Sequence, residues 1–153
     1  MTLDEMLARE AIRHTVSIYN KAVDERNYDE LRRVFTADAV MSIQDGPTLT
    51  GPEHIIETLR AGAGKRAAAQ TGNFQRHCMA APMIEMLGPR RAMARHYITV
   101  ITELGLDHSG TYDDEYQQEG ERWLISRRFA RMEWANPNSR FVRWLGAAKP
   151  GGT

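Results

Sequence analysis

The chain has 153 residues and a formal net charge of zero, with 42% hydrophobic and 26% charged residues. This length predicts one domain, and the composition is typical of a globular protein. The absence of a block of like charges argues against nucleic acid or an anionic membrane as a partner. The single cysteine, Cys78, excludes an internal disulfide and a metal site built from cysteines. No run is apolar over the roughly 20 residues of a membrane span, and residues 1–10 lack a signal-peptide core, so we expect a cytoplasmic protein.

Three helices are predicted in the first half of the chain. The first begins at a capping box, Thr2 to Glu5, and continues with apolar residues at three- and four-residue intervals up to Val23. The second begins after Asn27, and the third has Pro52 as its first residue. Between them, AVMSIQDG predicts a short strand that ends in a Gly-Pro turn. After the third helix, AGAGKRAAAQTG predicts a mobile loop or frayed helix beside the opening of a pocket.

The periodicity changes to two after residue 73, which predicts four long strands at 73–87, 91–104, 109–119 and 122–134. Helices followed by consecutive antiparallel strands predict an α+β domain over residues 1–145, with a disordered tail at 146–153. Three helices would pack on one face of a curved, mostly antiparallel sheet. Such a sheet forms a cone-shaped α+β barrel whose interior can hold an apolar pocket with a few polar groups.

His77 is the first candidate for a catalytic residue. Alternation in NFQRHCMAAPMIEM places it on the same face of a strand as Gln75 and Met79. Asp24 ends the apolar stripe of the first helix, where a carboxylate is unfavourable because the helix C-terminus is itself negative. Two interpretations stay open. The two residues are either a core histidine and a solvated carboxylate, or a pair in which Asp24 orients His77 as a general base.

Further polar residues are candidates for the pocket. Arg128 shares a face with Leu124, Ser126 and Ala130, and if that face points inward its guanidinium can hold a developing oxyanion or a leaving anion, with Arg127 in solvent. His96 and Tyr97 must lie on opposite faces of one strand, and the simpler assignment is a core tyrosine and a surface histidine. The residues predicted to contact a substrate are Tyr19, Met79, His96 and Tyr97.

The remaining histidines and acidic residues suggest no further site. His14, His54 and His108 lie among charged or loop residues and are predicted to be exposed. The stretch GTYDDEYQQEGERW is acidic, but alternation sends Asp113 and Asp114 to opposite faces, so we predict no metal site. The sequence also lacks the motifs of nucleotide-binding proteins, serine hydrolases and zinc proteases, and we expect no cofactor.

Two features predict contacts with a neighbouring chain. Apolar residues expected on the outer face of the late strands indicate a homo-oligomer in which another copy covers the sheet. They are Ile98, Val100, Phe129, Met132 and Trp134. The segment WANPNSRFVRW is expected to fold over the mouth of the pocket or onto a neighbouring subunit.

Several blocks of the sequence occur in the order found in one known family. They are IRHTVSIYNKAVDERNYDELRRVFTADAV, TGPEHI, RHCMAAPMIEM, RAMARHYITV and SGTYDDEYQQEGERWLISRR. Over residues 4–134 the chain resembles the SnoaL-like branch of the nuclear transport factor 2-like superfamily, and within it scytalone dehydratase and lindane dehydrochlorinase. The resemblance implies a nuclear transport factor 2-like, or cystatin-like, cone, and it allows dimers and trimers.

The resemblance also implies roles for individual residues. The aspartate and the catalytic histidine of these enzymes fall on Asp24 and His77, with the histidine as the base of an elimination. The dehydrochlorinase arginine that assists the leaving group falls on Arg128. Two positions depart from the pattern, because the dehydrochlorinase lysine falls on Tyr19 and the second dehydratase histidine falls near Thr102. The substrate is therefore expected to differ from theirs.

These observations favour a cofactor-independent lyase or isomerase that uses an aspartate–histidine dyad on a small, mostly apolar, cyclic or polyketide-like molecule. Hydrolysis through an activated water fits the same dyad. The superfamily also includes polyketide cyclases, ketosteroid isomerases and small subunits of aromatic-ring dioxygenases, so fold alone does not decide the function. The alternative is a non-catalytic small (beta) subunit of such a dioxygenase or a small-molecule binding module.

Overall fold

The computed structural model describes residues 1–68, 74–139 and 141, and for 63–68 it describes the backbone alone. The helices are α1 (Leu3–Glu25), α2 (Tyr28–Arg32) and α3 (Pro52–Ala68). The strands are β1 (Phe35–Ile43), β2 (Thr48–Thr50), β3 (Gln75–Met79), β4 (Met83–Gly88), β5 (Arg91–Thr102), β6 (Gly105–Glu119) and β7 (Arg122–Ala135). The predicted tail at 146–153 lies outside the described residues.

The helices begin where the sequence predicts. Thr2 caps α1 through a complete capping box with Glu5, and the Asn27 side chain accepts a hydrogen bond from the Glu30 N–H at the start of α2. Pro52 is the first residue of α3. This helix continues to Ala68, however, through a stretch predicted as a loop or frayed helix, because its alanines favour helix strongly enough to offset two glycines. Residues 69–73 lie outside the described part of the chain.

The strands form one curved seven-stranded sheet that does not close on itself. Its order is β2-β1-β7-β6-β5-β3, and β4 also pairs with β5. The β1–β7 pair is parallel and all other pairs are antiparallel. The short strand predicted around AVMSI is the longer β1, and β2 adds a hairpin partner that the sequence analysis did not predict.

The first predicted long strand, 73–87, is two strands. β3 pairs with the second half of β5 and β4 with its first half, so the two lie end to end along one partner. The break falls at residues 80–82. The Ala80 N–H still donates to the Tyr97 carbonyl of β5. Two residues later, Pro82 has no N–H that could continue the hydrogen-bond ladder. Because of this break, the strand that carries His77 ends before residue 80, three positions further along the chain.

The core lies between the helices and the concave face of the sheet. α1 contributes Ile12, Val16, Tyr19 and Ala22, and α3 contributes Ile55 and Ile56. Each fully buried aliphatic side chain contributes roughly 1.5–3 kcal/mol relative to its exposed state. This arrangement confirms the predicted α+β cone. Among the described helices, none combines the length and apolar character that a bilayer crossing demands.

Candidate active site

The contact between Asp24 and His77 is the centre of the site. Asp24 lies in the last turn of α1, two residues before Arg26 ends the helix in a left-handed conformation with φ 56°. His77 is the middle residue of β3, and its Nδ1 lies 2.7 Å from Asp24 Oδ1. The side chains are 12% exposed for His77 and 7% for Asp24, so the contact is largely shielded from water. The structure therefore brings together the two residues that the sequence analysis singled out.

The Asp24 carboxylate binds the backbone of His77 as well as its ring. The His77 N–H donates to Asp24 Oδ1 at 3.2 Å and to Oδ2 at 3.0 Å. These donors offset the unfavourable position of a negative charge at the end of a helix. Since Nδ1 must carry hydrogen to donate to a carboxylate, the neutral ring has its lone pair on Nε2. That tautomer is the one that a general base requires, and the carboxylate stabilises the imidazolium that forms.

Gln75 makes a second link between β3 and the end of α1. Its Nε2 donates to the Val23 carbonyl at 3.2 Å. Within the last turn this carbonyl accepts only a long bond, 3.4 Å, from the Arg26 N–H, and the amide adds a second donor to it. The sequence analysis placed Gln75 on the face of His77 but gave it no role. Its contact holds the strand and the helix together one residue before Asp24.

Arg128 points inward from β7 and is fully buried. Its Nε and Nη2 donate to the two oxygens of Asp114 at 2.8 and 2.7 Å. Tyr19 of α1 and Tyr112 of β6 contact the guanidinium, whose Cζ lies 4.0 and 4.2 Å from their ring centroids. Nη1 has no hydrogen-bond partner among the residues that the structure describes. The predicted cation is thus already paired with Asp114, a partner that the sequence analysis did not identify.

The ion pair shifts the acidity of both partners. Burial alone would raise the pKa of Asp114, but the charge and hydrogen bonds of Arg128, followed by those of His96, hold this pKa below its usual value. Burial would lower the pKa of Arg128, whereas Asp114 raises it well above the usual value. Both groups therefore stay charged at neutral pH. Burial and, after it, the neighbouring Tyr19 raise the pKa of Tyr112 well above its usual value.

His96 and Tyr116 extend this interior network. Tyr116 Oη donates to Asp114 Oδ2 at 2.9 Å, and His96 Nε2 lies 2.9 Å from Tyr116 Oη and 3.3 Å from Asp114 Oδ2. Because the Tyr116 proton points at the carboxylate, His96 Nε2 must be the donor. Burial, and then the charge of Asp114, raise the pKa of Tyr116 well above its usual value. The network holds four buried polar side chains on the concave face.

The sequence signature of the SnoaL-like domain matches residues 4–129. The chain belongs to the SnoaL-like family. Its structure is similar to that of hexachlorocyclohexane dehydrochlorinase LinA-type3 from Novosphingobium barchaimii LL02, with a TM-score of 0.76 and 20% identity over 90% of this chain and 94% of that one. No curated protein sequence matches the chain.

Two further structures are similar to this SnoaL-like domain. One is a proposed scytalone dehydratase of Novosphingobium aromaticivorans DSM 12444, with a TM-score of 0.75 and 21% identity over 92% of this chain and 99% of that one. The other is the beta subunit of a proposed aromatic-ring-hydroxylating dioxygenase from the same organism, with a TM-score of 0.68 and 14% identity over 89% and 95%. At these identities the likeness shows a shared fold.

The faces predicted for β5 of this SnoaL-like domain were reversed. Tyr97, predicted in the core, is 57% exposed on the outer face, and His96, predicted at the surface, is fully buried. Ile98 and Val100, predicted on the outer face, are buried as well. Alternation shows which residues share a face but not which face is inner, and the prediction followed the bulky tyrosine. Tyr97 therefore does not line the concave face.

The other predicted contact residues lie on the inner side. Tyr19 is buried and packs edge to face against Phe35 and Tyr112, with ring centroids 6.2 Å apart in each case. Met79 is half-buried and packs against the core two residues after His77. His14 and His54 are exposed, as predicted. His108 was predicted to be exposed, but it is buried at the start of β6.

Asp113 and Asp114 point to opposite faces of β6, as alternation predicts. Asp113 accepts hydrogen bonds from Arg95 at the surface at 2.6 and 2.9 Å, whereas Asp114 is buried. Within the described ranges, no three His, Cys, Asp or Glu side chains come together as metal ligands. The acidic stretch thus supplies one surface ion pair and one interior ion pair.

The outer face of the sheet carries a groove of about 860 Å³. The side chains that point into it include Met93, Arg95, Tyr97, Arg127 and Phe129. It lies on the face of the sheet opposite to His77, whose side chain meets α1. Trp134, near the end of β7, is 47% exposed, and Phe129 and Met132 are half-buried. The groove is therefore a surface available to another chain and is separate from the Asp24–His77 pair.

Proposed function

We propose that this SnoaL-like domain works in the cytoplasm as a cofactor-independent lyase or isomerase with His77 as its general base. The observation that carries the proposal is the 2.7 Å contact between His77 Nδ1 and Asp24 Oδ1 on the concave side of the sheet. The substrate would be a small, mostly apolar, cyclic or polyketide-like molecule. General-base catalysis of this kind contributes about 10²–10⁴-fold to a rate.

In the proposed reaction, His77 Nε2 removes a proton from a carbon atom of the substrate. Asp24 stabilises the resulting imidazolium and keeps the ring in the required tautomer. Negative charge develops on the substrate, and Arg128 Nη1 is the donor suited to meet it, because Nε and Nη2 are taken by Asp114. Because Asp114 neutralises the charge of the guanidinium, Arg128 would stabilise the substrate mainly through a hydrogen bond from Nη1 and less through its positive charge.

The spacing of the contacts on α1 supports a site of small-molecule size. Tyr19 contacts Arg128, and Asp24 contacts His77. The two α1 residues are five positions apart, about 7.5 Å along the helix axis. A single ring or a short polyketide-like chain has these dimensions, so one substrate could meet both polar groups.

The alternative, a non-catalytic small subunit or binding module, draws support from the similar fold of a dioxygenase beta subunit. A binding module has no need of a buried carboxylate that selects one tautomer of a histidine. The intact contact between Asp24 and His77 therefore favours catalysis. Stable copurification with a larger iron–sulfur subunit would instead support the alternative. Hydrolysis through an activated water uses the same base.

The proposal is tested by proton exchange at carbon, which reports on the base whatever group leaves. A panel of cyclic ketones and short polyketide-like diketones in D₂O would be followed by NMR for deuterium uptake next to the carbonyl. We expect the wild-type protein to accelerate uptake for some members, and His77→Asn to lose at least about 100-fold of that acceleration. His54→Asn, at an exposed position, is the matched control. Equal uptake in the wild type and His77→Asn would refute the base.

We further propose that a second copy of the chain covers the outer groove, as a dimer or trimer. The groove carries both charge signs, with Arg95 and Arg127 beside Asp113 and Glu115. A surface that bears both signs can pair with itself, as symmetric homo-oligomers require. Exposed Tyr97 and Met93 supply the apolar and aromatic contacts typical of such interfaces.

A further inference from the structure

Asn20 of α1 carries a buried polar atom that no part of the described chain contacts through a hydrogen bond. The residue is half-buried overall, but its Oδ1 is fully buried and has no hydrogen-bond partner among the residues that the structure describes. Buried side-chain acceptors are nearly always paired, because an unpaired one loses its hydration without compensation. A donor that is not part of the fold, on a small molecule bound beside α1, would supply the missing partner.

The position of Asn20 on α1 places it next to the proposed site. It precedes Asp24 by four residues, and side chains at this spacing are neighbours on a helix. With 3.6 residues per turn, the direction of Asn20 lies about 40° from that of Asp24 and about 100° from that of Tyr19. Asp24 contacts His77, and Tyr19 contacts Arg128. The arc of the helix between these two contacts therefore includes Asn20.

α1 runs antiparallel to the edge of the sheet that β3 and β4 form. Near the end of the helix, Asp24 contacts His77 of β3. Near its start, Arg9 Nη1 donates to the Ile84 carbonyl of β4, which follows β3 in the chain. A step from Asp24 toward the start of the helix therefore corresponds to a step from His77 toward the end of β3.

Asn20 is level with Met79 in this arrangement. The four residues from Asp24 to Asn20 span about 6 Å along the helix axis. The two residues from His77 to Met79 span about 6.6 Å along the strand. Met79 is half-buried and packs against the core. The space next to His77 is therefore bordered by an apolar side chain from the strand and by a polar one from the helix.

We propose that Asn20 is a specificity-determining residue that binds a hydroxyl group of the substrate, an assignment that rests on the proposed role of His77 as the base. A hydroxyl group can donate to Oδ1 and can also accept from Nδ2, so it suits both atoms of the amide. A carbonyl or ether oxygen only accepts and would leave Oδ1 unpaired. Since no hydrogen bond fixes Oδ1, rotation about the last side-chain bond can turn this atom toward a ligand.

The spacing indicates where the substrate carries this hydroxyl group. The carbon that loses its proton must lie next to His77 Nε2, and Asn20 lies about 6 Å further along α1 than the partner of that ring. A hydroxyl group about two or three carbons away from the reacting carbon spans such a gap. The substrate class is therefore a cyclic or polyketide-like ketone with a free hydroxyl group at that distance. A site that pairs with a hydroxyl group rejects an analogue without it more strongly than an apolar wall does.

The first test follows the Asn20 amide directly by NMR. The wild-type protein, with ¹⁵N in its asparagine side chains, is titrated with 4-hydroxycyclohexanone and separately with 4-methylcyclohexanone, which has nearly the same shape but no hydroxyl group. The spectrum of Asn20→Leu identifies the signals. We expect the Asn20 amide signals to shift with 4-hydroxycyclohexanone alone. Signals that do not move with either ketone would leave Oδ1 to a bound water and overturn the assignment. Equal shifts with both ketones would overturn the recognition of a hydroxyl group.

The second test measures the preference during turnover. Deuterium uptake next to the carbonyl is followed for both ketones in D₂O. We expect the wild type to have a KM about tenfold lower for 4-hydroxycyclohexanone, because leaving a buried acceptor unpaired weakens binding by about that factor. Asn20→Leu should lose this preference through KM more than through kcat, since Asp24 and His77 keep their contact. Ser17→Leu, at an exposed position of the same helix, is the matched control and should keep the preference.

The outcomes separate this assignment from the proposed function. Uptake by the wild type without a preference for the hydroxyl group overturns the role of Asn20 and leaves His77 as the base. Shifts of the Asn20 amide without any uptake support hydroxyl binding and contradict the base. A preference that Asn20→Leu retains overturns the assignment. So does a much lower stability of Asn20→Leu than of Ser17→Leu in urea, because an acceptor without a partner in the fold should not stabilise it.

Discussion

Asp24 binds both the ring and the backbone N–H of His77, a residue 53 positions further along the chain. The backbone bonds do not depend on the side chain at position 77. A variant that removes the imidazole therefore leaves the carboxylate with hydrogen-bond donors in the same place. Position 77 can be changed with little structural cost, whereas a change at position 24 affects both the strand and the ring.

This asymmetry predicts distinct outcomes for Asp24→Asn and His77→Asn. The amide that Asp24→Asn introduces can accept from the backbone, but an N–H directed at the ring makes Nδ1 the acceptor and moves the proton to Nε2. We expect Asp24→Asn to switch the tautomer of His77, visible in its ¹⁵N shifts without any substrate, and to lower deuterium uptake about 10²–10⁴-fold. An unchanged tautomer in Asp24→Asn would contradict the orienting role.

The Arg128–Asp114 pair predicts a large difference between two neighbouring aspartates. Asp114→Asn leaves a buried guanidinium without its counter-charge, which costs about 3–5 kcal/mol of unfolding free energy. Asp113→Asn breaks only the surface pair with Arg95 and should cost no more than about 1 kcal/mol. Urea denaturation of the two variants measures the difference. Equal losses of unfolding free energy would mean that the buried pair stabilises the fold no more than the surface pair does.

The same pair predicts how stability depends on pH. The pKa of Asp114 is lower in the folded protein than in the unfolded chain, where a value of about 3.9 is usual. Its contribution is therefore complete above that value and is lost as pH falls toward the lower, folded-state pKa. We expect the unfolding free energy to decline as pH drops below about 4, and to decline less steeply in Asp114→Asn. Denaturation curves measured from neutral to acidic pH test this, with Asp113→Asn again as the control.

The starts of the three helices could be predicted because each depends on local chemistry. The capping box at Thr2, the cap at Asn27 and the proline at position 52 act within one turn of helix. The inner face of β5 could not be assigned in this way, because His96 is buried through contacts with Tyr116 and Asp114 on another strand. A polar residue is buried when its partners are, and alternation alone does not identify those partners.

The burial of His108 was not predicted, for a related reason. Its neighbours in the sequence are polar, which favours a loop, and a β-bulge at Asp107 breaks the alternation there, since the β5–β6 ladder passes from Val100–His108 directly to Ile101–Leu106. The pairing of Asp24 with His77 could be predicted because the resemblance to the family implies it. The inward face on which the role of Arg128 depended is observed, but its partner Asp114 was treated as half of an acidic stretch. Asp114 and Arg128 are cross-strand partners, and the register between strands that brings them together is not readable from either strand alone.

Gly110 is required where β6 passes close to the backbone of β7. A Cβ at this position would lie 2.0 Å from the Arg131 carbonyl oxygen and 2.9 Å from its carbon. Both atoms belong to the backbone, so relief of the clash requires the two strands to move apart. We expect Gly110→Ala to lower the unfolding free energy by at least about 2 kcal/mol. Gly88→Ala is the matched control, since a Cβ there meets nothing within 4 Å, and it should change stability by less than about 0.5 kcal/mol.

The outer groove predicts a homo-oligomer that depends on Tyr97. The phenol ring is 57% exposed at a surface with both charge signs, and a glutamate there would place an unpaired carboxylate inside the interface. Light scattering at micromolar concentration should give a multiple of the 17.4 kDa chain mass for the wild type and a single chain for Tyr97→Glu. Leu7→Glu, at an exposed position on α1, should leave the assembly intact. A wild-type protein that is monomeric under these conditions contradicts the proposal. An assembly that Tyr97→Glu leaves intact would show that the interface lies on another surface.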